Sequence, residues 1–353
     1  MASASGSWRR RIIVSIKLLV AAGLVAWVLK DIGWAPVLAT LSAIDLALWG
    51  LGASLLLGSV CLTLLRWHLL MVMLGLPSTP ALALRVGFIG MFFNTAMPGS
   101  TGGDVIKAVA VSRSFQERRA TAVLSVVLDR AIGLVGLALL AAAVIPLHPA
   151  GSASLAAVTY GFLGAVVVGL AAMRWVRSAA NDRPLTAEPI PGWRGRLVGA
   201  LAEVRRALDA CLLHPRTGLA AVGISVLGHL LVVLAVATFG EALAKPAGVL
   251  SAGSGVAGPG AVTLNHLTMG MYISLVPIIM LVSALPLAPG GWGVGEAAFV
   301  HAFALVALGP RWAVSMSLAY RLTGTLIALC GGLVAMGAHG RQGAPEVSAK
   351  KLA

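Results

Sequence analysis

Charge is what this chain mostly lacks. Only 11% of its 353 residues are Asp, Glu, Lys or Arg, whereas a soluble domain carries about 25%. Cysteine is nearly absent too: Cys61, Cys211 and Cys330 stand far apart with no metal-ligand spacing, which excludes a disulfide framework and a thiolate metal site. The histidines His68, His229, His266 and His301 show no H-x-x-H spacing and read as packed helix residues. Neither a nucleophile–base pair nor a metal set emerges, so no catalytic residue, metal or cofactor is expected.

What remains is apolar. Hydrophobic residues make up 59% of the chain and the mean hydropathy is +0.94. No soluble fold of this size could bury that much apolar surface, so the composition predicts an all-α integral membrane protein. The net charge of +14 does not point to nucleic acid. Its basic residues flank apolar runs, as cytoplasmic loops beside an anionic leaflet do.

A helix needs about 20 apolar residues to cross the hydrocarbon core. Windows of that length fall at 12–29, 46–65, 120–145, 155–173, 217–240, 262–283, 293–309 and 313–337, which predicts about eight spans. The first follows "SWRRRIIVSIK" with no small-residue cleavage site, and so reads as an uncleaved anchor after a cytoplasmic tail at 1–11. Arg9, Arg10, Arg11 and Lys17 place that tail inside. Arg66, Arg85, Lys107, Arg113, Arg118 and Arg119 place the whole 66–119 stretch on the same side. A basic loop at 174–216 and a tail at 338–353 follow them, and the predicted outer loops hold only Lys30, Lys245 and Arg311.

Within the 174–216 loop, Leu197, Leu201, Val204, Leu208 and Cys211 recur at helical steps, predicting an amphipathic helix. It lies either on the inner leaflet or against the spans. Gly253, Gly255 and Gly258 match a dinucleotide-loop spacing, but no strand precedes them and the stretch reads as a linker.

Two places break the apolar pattern in the same way. In "NTAMPGSTGGDVIKAVAVSR" (94–113), Pro98 and Gly99 are followed by glycines, then by Asp104. In "LPLAPGGWGVGEAAFVHAF" (285–303), Pro289 and Gly290 are followed by Gly291, Gly293 and Gly295, then by Glu296. Residues 81–97 are apolar, yet Arg85 and Arg113 on either side both belong inside, so this segment reads as re-entrant. The late break repeats the device, giving two re-entrant broken helices beside the spans. Glycine- and proline-interrupted segments in corresponding halves mark transporter binding sites and suggest an inverted repeat. Half-helix N-termini suit an anionic ligand, and carboxylates such as Asp104 and Glu296 at helix starts equally suit the capping of free N–H groups. Asp129, Arg130 and Arg321 add charges inside apolar spans, where such groups pair or line a wet cavity. Asp129 with Arg130, or Asp104 with Arg321, are the expected pairs, and Asp104, Arg130, Glu296 and Arg321 are expected to form one polar centre.

"MPGSTGGDVIKAVAVSR", "VVLDRAIGLVGL", "LPLAPGGWGVGEAAF" and "AYRL" together resemble the lysylphosphatidylglycerol synthase transmembrane-region family, over about residues 10–337. That family includes the flippase part of multiple peptide resistance factors. The resemblance implies a flippase-like domain at 12–337, in a bacterial inner membrane with both termini cytoplasmic. It also implies a substrate site at Asn94, Pro98, Gly99, Gly103, Asp104, Lys107, Asp129, Arg130, Pro289, Gly290, Gly291, Gly293, Glu296 and Arg321. Lys107 stands where the pattern has arginine, and Gly295 where many relatives are charged. No aminoacyl-transferase domain is recognisable, so lipid lysinylation is not expected. The leading reading is a flippase or flippase-like transporter of an anionic phospholipid, polyprenyl-linked or hopanoid-like lipid. The alternatives are an accessory subunit presenting lipid to a separate transferase, and an intramembrane enzyme using Asp104, Asp129 or Glu296 as acid or base.

Overall fold

The computed structural model describes residues 34–96, 102–145, 213–250, 267–283 and 293–339, with isolated positions 160, 161, 163, 164 and 209. The described residues are helical and contain no strand: the protein is an all-α membrane protein. In chain order the helices are α1 (Trp34–Ser42), α2 (Leu46–Met73), α3 (Pro80–Ala96), α4 (Gly102–Ser114), α5 (Arg119–Val144), α6 (Pro215–Leu250), α7 (Met269–Ser283), α8 (Val294–Ala304) and α9 (Pro310–His339). The expected span at 12–29, most of 155–173, and nearly all of the 174–216 loop and both tails lie outside the described residues.

Four helices, α2, α5, α6 and α9, are long and apolar enough to cross a membrane. Two of the expected spans come out differently. The windows 262–283 and 293–309 hold short helices of 15 and 11 residues, α7 and α8, which at about 1.5 Å per residue fall short of the hydrocarbon thickness. α8 stops at Ala304 because the chain turns through Ala307, at φ 57°, before Pro310 opens α9. The span expected to end at residue 65 runs on to Met73, so Arg66 lies inside a membrane-length helix rather than in a loop.

Asp45 starts α2 by accepting hydrogen bonds from the N–H groups of Ala47 and Leu48, both at 3.0 Å, which satisfies donors that the first turn leaves unpaired. α2 then packs along α6 in antiparallel fashion. Gly52 meets the ring of Phe239, Gly58 meets Leu231, and Gly228 meets Ser59 and Thr63. Small residues let two helices approach closely without a hydrophobic drive between them.

Around this antiparallel pair the packing occurs twice. The helices α2, α3, α4 and α5 touch in the same pattern as α6, α7, α8 and α9, and the first short helix of each unit rests on the last helix of the other. α3 meets α9, and α7 meets α5. With α2 and α6 antiparallel, this is the packing of an inverted repeat.

α3 and α4 form a tight hairpin. A Cβ on Gly103 would strike the Gly90 carbonyl oxygen and come within 2.6 Å of Asn94 Cβ, while one on Gly90 would come within 2.7 Å of Lys107. α3 and α4 therefore lie against one another, with Gly103 on Gly90 and Asn94.

Candidate functional site: ion pairs at two broken helices

The repeat places equivalent residues at equivalent steps. Asp104 is the third residue of α4 and Glu296 the third of α8. Arg130 and Arg321 are each the twelfth residue of the long helix that follows. Each carboxylate meets the arginine of its own unit: Arg130 Nε lies 2.7 Å from Asp104 Oδ2, and Arg321 Nε lies 2.9 Å from Glu296 Oε1.

The expected pairings were therefore wrong. Asp129 and Arg130 are neighbours on a helix, and adjacent side chains there point about 100° apart, so they do not face one another. Asp104 is taken by Arg130 and Arg321 by Glu296, which gives two ion pairs, one per unit, in place of the crossed Asp104–Arg321 contact.

Asp129 has a different partner, Arg66, a residue expected on the cytoplasmic side of the membrane. Arg66 Nε and Nη2 lie 2.9 and 2.8 Å from Asp129 Oδ1, and Nη2 also donates to the Asp129 carbonyl at 3.1 Å. Its Nη1 donates to Ser225 Oγ on α6 at 3.0 Å. Both Arg66 and Asp129 are buried. Such a pair is tolerated in a membrane only when donors and acceptors are filled this completely. The available signal was that apolar residues continue on both sides of Arg66, in "LTLLRWHLLMVM".

Lys107 completes this cluster. Its Nζ lies 3.6 Å from Asp129 Oδ2 and 4.1 Å from the centre of the Trp67 ring, a cation–π contact. The ring is held by a hydrogen bond from Trp67 Nε1 to Ser125 Oγ at 3.1 Å.

At the second break, Gly293 adopts φ 79°, which only glycine does without strain. Glu296 reaches back to accept from the Gly293 N–H at 2.6 Å. Glu296 is thus a helix cap as well as an ion-pair partner. Gly295 leaves the space in which the Arg321 guanidinium lies, since a Cβ there would overlap Nη2.

Of the other expected site residues, Asn94 lies in the last turn of the first hairpin arm and its Oδ1 is buried without a hydrogen-bond partner. Pro98, Gly99, Pro289, Gly290 and Gly291 lie outside the described residues. No group of three or more His, Cys, Asp or Glu side chains among the described residues could hold a metal ion.

A family profile described as the lysylphosphatidylglycerol synthase TM region matches residues 14–332, nearly the whole chain. The chain belongs to that family. Both breaks, both carboxylate–arginine pairs and the Arg66–Asp129–Lys107 cluster lie within the part of this lysylphosphatidylglycerol synthase-type chain that matches. No curated protein matches it.

Proposed function

We propose that this member of the family is a flippase-like transporter that moves an anionic lipid or lipid-linked substrate across a bacterial inner membrane. The family description ties the fold to membrane lipid. The observation that carries the transport reading is the repeated ion pair. Two interrupted helices, one per inverted unit, each present a carboxylate on the first turn to an arginine of a membrane-length helix. Broken helices at a repeat interface are how alternating-access transporters build a polar site at membrane depth, and guanidinium groups suit phosphate.

Orientation follows from charge. α2 ends, α3 begins, α4 ends and α5 begins at one end of the bundle, where Arg85, Arg113, Arg118 and Arg119 are all exposed. On the positive-inside rule this end faces the cytoplasm and the α3–α4 hairpin enters and leaves from that side.

The test is reconstitution of the full chain into liposomes carrying a fluorescent phospholipid in both leaflets, with an impermeant quencher outside. Wild type is expected to expose inner-leaflet lipid, and Arg321→Ala to fold but lose that exposure. Equal exposure with and without protein would remove the transporter reading and favour a subunit that presents lipid to a separate transferase. A fully active Arg321→Ala variant would show that the ion pairs are only structural.

A further inference from the structure

We infer that Lys107 holds the phosphate-type anion of the cargo, while Arg66 acts as the positioning residue that leaves it available. This rests on the transporter reading and assigns the anion to one of the two breaks.

The reasoning begins with charge parity. Three cations, Arg66, Lys107 and Arg130, face two carboxylates, Asp104 and Asp129. Each carboxylate already has an arginine at close range: Arg130 on Asp104 at 2.7 Å, and Arg66 on Asp129 at 2.8 Å. Arg66 also binds the Asp129 carbonyl and Ser225, so its guanidinium is committed to the scaffold. Lys107 is the surplus cation. Its nearest carboxylate oxygen is at 3.6 Å, beyond hydrogen-bonding range, and Nζ makes no hydrogen bond among the described residues.

An ammonium on a side chain only 10% exposed, with no protein acceptor within hydrogen-bonding range of its three donors, is expensive. A phosphate-type anion arriving between the hairpin and α5 offsets that cost through charge-assisted hydrogen bonds. The Trp67 face keeps the side chain extended without consuming a donor. In the other unit the equivalent positions are apolar. Phe299 is the sixth residue of α8 as Lys107 is of α4, and Tyr320 is the eleventh of α9 as Asp129 is of α5. The rings of Phe299 and Tyr320 pack with centroids 6.4 Å apart where the first unit has its Lys–Asp contact. Among the described residues, the excess positive charge therefore belongs to the first break.

The experiment compares full-length wild type, Lys107→Met and Lys107→Arg. Each is purified in detergent micelles containing equal amounts of phosphatidylglycerol and diacylglycerol, then examined by native mass spectrometry and thermal melting. Wild type is expected to retain phosphatidylglycerol over diacylglycerol, and Lys107→Met to lose that preference by about tenfold, as for one charge-assisted contact. Lys107→Met should melt no lower than wild type, because it removes a surplus cation rather than one half of a pair, and Lys107→Arg should keep the preference. Displacement of the lipid by inorganic phosphate shows that the anion alone is recognised. Retention in its presence shows that the lipid body contributes, and both results accord with the site. Unchanged retention in Lys107→Met, or a lower melting temperature for it, overturns the inference, since Lys107 is then only a structural partner of Asp129. The transporter reading is scored separately by lipid movement in liposomes. Lys107-dependent retention without movement removes that reading and leaves this site; movement and retention both indifferent to Lys107→Met remove this site and leave that reading.

Discussion

The two helices that follow the breaks, α4 and α8, carry a glycine second, a carboxylate third and an arginine partner on the next long helix, yet they sit in opposite surroundings. In the first unit Asp104 and Arg130 are open, with side chains 25% and 58% exposed, and a buried Arg–Asp–Lys cluster lies beside them. In the second unit Glu296 and Arg321 are closed, at 3% and 12%, with a cap to Gly293 and a wall of aromatic rings. Tyr272, Phe299, Phe303 and Tyr320 form that wall, with centroids 5.8 to 6.4 Å apart. A shared backbone device therefore supports two different interiors. One is polar and charge-rich; the other is apolar and tightly packed.

That contrast breaks most sharply at Asp129. Asp129→Asn leaves Arg66 buried without its counter-charge and is expected to destabilise the protein by about 3–5 kcal/mol. Thermal or denaturant unfolding in detergent measures this, and a loss below about 1 kcal/mol would mean that the cluster is already well solvated.

The equivalent glycines should separate next. Gly103→Ala drives a methyl group into the Gly90 backbone, whereas Gly295→Ala meets the end of the Arg321 side chain, which can move. Both overpack their sites at a cost of about 1–3 kcal/mol, with Gly103→Ala toward the upper end. Should Gly295→Ala prove the more damaging, the Arg321 position is held more rigidly than the hairpin.

Solvent access offers a gentler test. A cysteine replacing the exposed Val105, next to Asp104, should react with a small aqueous thiol reagent, and one replacing the buried Val294 should be protected. Protection at both would place the open pair against lipid rather than in a wet cavity.

The smallest effect is expected at Tyr320, the counterpart of Asp129. Its hydroxyl only donates to Met280 Sδ at 3.6 Å, so Tyr320→Phe should cost less than about 1 kcal/mol. A cost approaching that of Asp129→Asn would erase the proposed difference between the two units.

The membrane class, the two breaks and the carboxylate after each were legible in the amino-acid sequence. With 59% apolar residues, the bilayer is the only solvent that suits the chain. Proline and glycine interrupt helices through local sterics that need no partner. Which charge pairs with which was decided by tertiary structure alone. Asp129 finds Arg66 across 63 positions and Asp104 finds Arg130 across 26, while the adjacent Asp129 and Arg130 are turned apart by the pitch of their own helix. An arginine in the middle of an apolar run reads as the end of a span until the fold supplies a carboxylate and a serine on neighbouring helices. Burying Arg66 is affordable only because α5 and α6 bring Asp129 and Ser225 to it, and that depends on how the helices meet.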